Sequence, residues 1–187
     1  MSQDKTPQEK LKEEQAHKDH VHHTKINAAA ILDHVLGNIH TLHVKLHQYH
    51  WYVKGSHFYT LHETFEELYD ENEKWFDVIA ERLLASGHKP ASTTKEFEEY
   101  SMLFEDPADK YLQAEKMVEN IVDDYRNTRD FVIRAIDLAA EEGDTPLEDT
   151  IIGYKDHLDK TIWMLQAFLG KEPLEDDPAF EDDDFDD

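Results

Sequence analysis

Glycine and proline interrupt this 187-residue chain so rarely that its middle has little choice but to be helical. All six glycines fall between Ile26 and Gly170, joined there only by Pro90, Pro107 and Pro146. No segment alternates polar and apolar residues as a half-buried strand does. From Ile26 to Val53 the apolar positions Ile31, Val35, Ile39, Leu42, Leu46 and Tyr49 recur at helical spacing, with Gly37 as the weak point. Gly55 allows a turn, and Ser56 or His57 is placed to cap a second helix that runs to about Ala85 before Gly87 and Pro90. A third is expected to start with Asp106 as N-cap and Pro107 at its first position, and to run to Glu142. A fourth opens on Thr145-Pro146-Leu147-Glu148, read as a capping box, and closes at Gly170. Thr93 with Glu96 is placed to cap a short helix near 94–101. Segments of about 25–35 residues make helices of roughly 40–50 Å. Their apolar stripes are buried by packing them into a four-helix bundle, and the connection between the second and third is long enough to run the bundle's length. The fold expected is all-α.

Composition narrows the function. There are 43 Asp and Glu against 19 Lys and Arg, a formal net charge of −24, with thirteen His and no Cys. Without cysteine there is no disulfide framework and no thiolate chemistry. A charge this negative repels nucleic acid and anionic membranes and attracts cations. No apolar run approaches the roughly 20 residues of a membrane span, and no apolar stretch stands where a secretory leader would have one. A cytoplasmic, metal-handling protein is the expectation. Residues 1–24 read as a polar, histidine-bearing extension, 25–170 as one domain, and 171–187, with ten acids and one Lys, as a disordered acidic tail.

The second helix carries His62 with Glu66 and Asp77 with Glu81, two pairs at i,i+4. A solvated, salt-bridged surface and a set of metal ligands both fit that spacing. From His62 to Asp77 is roughly 22 Å along a helix, too far for one metal centre in one chain. Yet His62 with Glu81 and Glu66 with Asp77 share a single midpoint. Two copies of this helix, antiparallel about a two-fold axis, would bring each pair to its complement in the other copy. His50 lies across the Gly55 turn, where a helical hairpin would lean it over His62. His40, His43 and His47 share its helix face and read as polar surface or interface positions. Imidazole and carboxylate ligands without thiolate suit iron or zinc. Trp51, beside His50, reads as a packing residue.

From His50 to Pro90 the chain reads HWYVKGSHFYTLHETFEELYDENEKWFDVIAERLLASGHKP. Its succession of His-Trp, Lys-Gly, Phe-x3-His-x3-Glu and Asp-x3-Glu-Arg resembles the Dps mini-ferritins, and the likeness of layout, with Trp163-Met164-Leu165, extends over about 25–170. That resemblance implies a ferritin-like four-helix subunit with a short helix in the long connection, assembled as a hollow dodecamer. It implies a ferroxidase that oxidises Fe(II), preferentially with hydrogen peroxide and otherwise with dioxygen, and stores ferric mineral. The implied ligands are His50, His62 and Glu66 of one subunit with Asp77 and Glu81 of the other, for iron, with zinc as a substitute. Position 66 is Glu where many relatives have Asp, which alters its reach. The resemblance also implies acidic pores for iron entry, placed here in Glu141 to Asp149, with Asp144 and Asp149 as the choices. Those residues equally suit a solvated helix start.

Two features depart from that pattern. Residues 1–25 hold five Lys and five acids, so no basic arm is available, and DNA binding is expected to be weak or absent. His17, His20 and His23 have a spacing that suits an extra zinc or iron site if the extension is helical, and equally a solvated segment. The competing reading of the whole is a DNA-binding, nucleoid-protecting shell with little ferroxidase activity.

Overall fold

The computed structural model describes residues 5–24 and 26–180, except the side chains of 19, 22–24 and 180. Among these residues it has six α-helices and no strand: α1 (Pro7–Thr24), α2 (Ala28–Tyr52), α3 (Phe58–Ala85), α4 (Thr94–Tyr100), α5 (Ala114–Glu142) and α6 (Thr145–Phe168). The four long helices form the bundle, and contacts between their ends set their directions. His50 of α2 meets His62 of α3, while His43 meets Tyr69, so the two run antiparallel. Glu142 accepts a hydrogen bond from the backbone of Ala28, and Asn120 reaches Tyr49, so α2 and α5 are antiparallel too. Ser86 bonds to Asp144 and His57 packs on Phe168, which makes α3 and α6 antiparallel. Burial of Leu32, Leu36, Leu42, Phe65, Ile121 and Leu158 between them supplies the main driving force.

Given those directions, the connection 86–113 must climb back along the bundle, and it climbs along α2. Asp33 accepts from the backbone of Ala91 at 2.7 Å, and His34 Nδ1 lies 2.7 Å from the Tyr100 carbonyl. Asn38 accepts from the Met102 amide at 2.8 Å, and the Thr41 hydroxyl donates to Ser101 at 2.7 Å. Gln48 donates to the Asp106 carbonyl and Tyr49 to the Asp109 carboxylate. Asp33, His34, Asn38 and Gln48 thus satisfy backbone groups of the connection, while Thr41 and Tyr49 bond to its side chains. Thr93 caps α4 as expected, accepting from the Glu96 amide. Gly37 is the point of closest approach: a Cβ there would lie 2.7 Å from the Ser101 nitrogen and 2.8 Å from the Phe97 carbonyl oxygen. The weak point in the helical pattern is therefore the seat of α4.

The expected boundaries shift at three places. Asp106 does cap, accepting from the Ala108 amide, but what it starts is a short 3-10 turn, Pro107–Tyr111. The bonds from Gln48 and Tyr49 hold that turn against α2, and α5 begins anew at Ala114. The helix after Gly143 is capped by Asp144 rather than Thr145. Gly143, at φ 73, ends α5 in the left-handed conformation, and Asp144 follows at once with a stronger acceptor than threonine. The same Thr-Pro-x-Glu pattern does close a capping box at the start of α1, where Thr6 and Glu9 bond reciprocally. His57 precedes α3 without a side-chain cap bond.

Both extensions are tied down where they are described. Lys18 pairs with buried Asp33 at 3.0 Å and Lys89 with Glu14 at 3.5 Å, which lays α1 across one end of the bundle. Residues 171–180, read above as part of a disordered tail, fold back on α5 and α6. Arg126 donates to the carbonyls of Glu175 and Asp176, and Arg129 pairs with Asp177 at 2.7 Å. Both guanidiniums and Asp177 are buried, so the acidic segment answers two arginines that would otherwise lie desolvated. Residues 181–187 lie outside the described set.

Replacing Gly37 by Ala raises helix propensity yet is expected to destabilise the protein by about 1–3 kcal/mol, because the obstructing atoms are backbone. Asp177→Ala is expected to cost on the order of 3 kcal/mol by leaving two buried arginines short of a carboxylate. Urea unfolding of each variant against the parent measures both; a stabilised Gly37→Ala would contradict the packing described.

Candidate metal centre

His50 stands in the last turn of α2 and His62 in the second turn of α3, on either side of the tight connection around Gly55. Their rings stack at 3.7 Å and 18°. His50 Nδ1 lies 2.7 Å from the His62 carbonyl, and His62 Nδ1 lies 2.9 Å from the His50 carbonyl. A carbonyl only accepts, so each Nδ1 carries the proton and donates it. The neutral tautomer then has its lone pair on Nε2, which is how a metal-binding histidine is set by its other nitrogen. The hairpin thus presents two half-buried imidazoles, each oriented by the other's backbone.

Around them is an aromatic wall that spacing did not single out. Tyr69 stacks on His47 at 3.8 Å and stands edge-on to His50 at 5.6 Å. Partial burial, followed by the Glu66 and Asp70 charges, holds its hydroxyl above its usual pKa. His47 Nδ1 donates to the His43 carbonyl, 2.8 Å away, and its ring takes Trp51 edge-on. Trp51 itself is 67% exposed, so most of its ring is left uncovered by this chain.

Glu66, Asp77 and Glu81 are all exposed on α3. The helix keeps the two carboxylates of the second pair away from the imidazoles, as the pitch requires. Among the described residues, no group of three or more His, Asp or Glu gathers closely enough to hold a metal ion within one chain. The structure therefore brings together His50 and His62 but leaves Asp77 and Glu81 apart from them.

The remaining residues singled out above have these places. Asp144 has both oxygens engaged, one by Ser86 and one by the Leu147 amide, and the Ser86 bond first of all holds its carboxyl below the usual range. Asp149 is exposed near the start of α6. His17 and His20 are exposed on α1; the side chain of His23 lies outside the described residues.

A ferritin-like domain family matches residues 29–174. The chain is 41% identical over 150 residues to a Listeria monocytogenes protein named for DNA protection during starvation, covering 80% of this chain and 96% of that one. The X-ray structure of Dps from Listeria monocytogenes superposes with a TM-score of 0.78 at 40% identity, over 81% of this chain and 98% of that one. The crystal structure of Lactococcus lactis DpsB gives a TM-score of 0.84 at 30% identity, over 88% and 95%.

The reciprocal His50–His62 geometry has a direct solution check. Long-range proton–nitrogen NMR of the metal-free protein near pH 8 is expected to show both rings protonated at Nδ1. A predominance of the Nε2–H form would mean that the lone pairs face the backbone and are not available as ligands.

Proposed function

This chain belongs to the Dps family of ferritin-like proteins, and we propose that it oxidises Fe(II) at sites shared between two subunits and stores the product inside a hollow dodecamer. The observation that carries this reading is the pair of imidazoles on α2 and α3 with free Nε2 atoms, beside an exposed carboxylate pair that one chain cannot bring to them. Antiparallel packing of two α3 helices about a two-fold supplies the missing half. Each centre then holds His50, His62 and Glu66 from one copy with Asp77 and Glu81 from the other. Nitrogen and oxygen donors with open positions suit Fe(II), and zinc substitutes for it. Two Fe(II) ions give one electron each to hydrogen peroxide, which with two protons becomes two waters; dioxygen is the slower oxidant. Iron and peroxide are thereby removed together, before one-electron chemistry releases hydroxyl radical.

Assembly is supported by apolar surface that a single chain leaves open: Trp163 and Met164 on α6 are each more than half exposed, and Tyr59 is 81% exposed. The surplus of acids favours Fe(II) entry, with Asp149 the better pore residue and Asp144 largely spent as a cap. No described helix is long and apolar enough to cross a membrane, and a cytoplasmic site of action fits this reading. His17, His20 and His23 enter it as an accessory metal site on α1.

The names of the relatives stress DNA protection, which favours a second reading as a DNA-binding shell. Chemical removal of iron and peroxide protects DNA without contact. Charge supports the chemical route, because α1 mixes Lys with Glu and the described tail is acidic. A gel-shift at about 0.15 M salt is expected to show no complex; a persistent shift would favour the second reading.

For the main reading, Fe(II) is added anaerobically, followed by peroxide, and oxidation is followed by absorbance. Asp77→Ala and His50→Ala are each expected to slow oxidation by about tenfold or more. Parent and variants oxidising alike at the rate of iron in buffer would refute it.

A further inference from the structure

Among the described residues, the ring neighbours of His50 are His62 and Tyr69. The first is its fellow ligand; the second is not among the proposed ligands. His50 is pinned at Nδ1 by the His62 carbonyl and covered on one face by the His62 ring. One bonded atom and one stacked face still let an imidazole swing in its own plane about that atom. Such a swing carries Nε2 away from the direction in which it meets a metal. Tyr69 stands across that plane, with its ring 5.6 Å from His50 at 84°. That is a favoured edge-on contact, and it closes one side of the swing. His62 is held differently: Phe58, four residues before it on α3, stacks on it at 5.2 Å and 25°.

Tyr69 serves as a wall only if it is fixed in turn, and two histidines that the iron chemistry leaves unused fix it. His47 covers one face of the Tyr69 ring at 3.8 Å and 18°. His47 is itself tied through Nδ1 to the His43 carbonyl at 2.8 Å. His43 stands edge-on to Tyr69 at 5.9 Å, and its Nδ1 lies 3.4 Å from the Tyr69 carbonyl. Contact therefore runs from the backbone of α2 through His47 to Tyr69, and from Tyr69 back to His50. His43, His47 and His50 follow one another at steps of four and three, so one face of α2 carries both the clamp and the ligand. None of these contacts uses the Tyr69 hydroxyl.

We propose that Tyr69 is a positioning residue of the metal centre: clamped by His47, its ring holds the His50 imidazole in the plane that presents Nε2. The role belongs to the ring and not to the hydroxyl. A ligand fixed before the metal arrives need not be ordered on binding. Neighbours that orient a ligating imidazole are worth about ten- to a hundredfold in metal affinity. The proposal rests on the reading of His50 as a ligand in the function proposed above.

Zn(II) is the probe, used on full-length protein first stripped of metal, and the zinc followed by calorimetry is the one that His50→Ala removes. Tyr69→Leu is expected to weaken that zinc about tenfold, and Tyr69→Phe, which keeps the ring, to stay within about twofold of the parent. His47→Leu is expected to weaken it too, and to add little in the Tyr69→Leu background, because the two act in series. Long-range proton–nitrogen NMR of metal-free Tyr69→Leu is expected to show mixed tautomers at His50 and the Nδ1–H form alone at His62. A general loosening of the bundle would not separate the two rings in that way. Parent affinity in Tyr69→Leu would overturn the positioning role and leave the metal centre standing. So would a Tyr69→Phe as weak as Tyr69→Leu, which would move the effect to the hydroxyl. Should Tyr69→Leu fail to fold, His47→Leu decides, and parent affinity there overturns the proposal. If His50→Ala removes no zinc, His50 is not a ligand, and the metal centre and the positioning role fall together.

Discussion

Everything in this subunit is arranged around α2, and what α2 has to do is hold a long connection whose backbone lacks regular partners. A segment lying flat on a buried helix must find donors and acceptors for its peptide groups, or lose more than its apolar contacts return. Asp33, His34, Asn38 and Gln48 meet that need along α2. The absence of a side chain at Gly37 lets α4 approach its backbone. Once the connection is held on this path, α5 must start at the same end as α3, and the antiparallel order of all four helices follows. The same path places the last turn of α2 over the second turn of α3, where His50 and His62 orient one another.

The other organising quantity is charge, and its effect depends on where it falls. Acids in 171–180 are drawn inward by Arg126 and Arg129 and act as structure. Asp144 and Glu96 are occupied with helix starts. The acids along α3 have no such employment within the chain: Glu66, Asp70, Glu73, Asp77 and Glu81 stay exposed along one face. A surface stripe of carboxylates beside two oriented imidazoles opposes association in their bare form and supports it when cations are present. Metal binding and assembly are coupled in this reading for an electrostatic reason.

Helix existence was legible in the sequence because the 3.6-residue period is written over long uninterrupted stretches. Helix starts were less so. Thr-Pro-x-Glu closes a capping box at Thr6 and fails at Thr145, since there a preceding Asp144 and the left-handed Gly143 take the position. Pro107 begins a 3-10 turn instead of α5, because bonds from Gln48 and Tyr49 hold the turn in place. Both outcomes depend on neighbours remote in the chain. The imidazole pair could be anticipated from a turn of known length, whereas its tautomers could not, since they are set by carbonyls across the hairpin. Tyr69 was overlooked because an aromatic on a helix face gives no sign of what it will stack on.

By itself the sequence determined the helical class, the long crossover and that the two i,i+4 pairs of α3 stand too far apart to meet within one chain, because each rests on local period or on spacing along a rigid helix. Only the tertiary structure decided that the described part of the acidic tail docks, that Gly37 seats α4, and that His50 and His62 present Nε2 outward. Those depend on which groups meet across the bundle, and on the cost of leaving a buried donor, acceptor or charge without a partner.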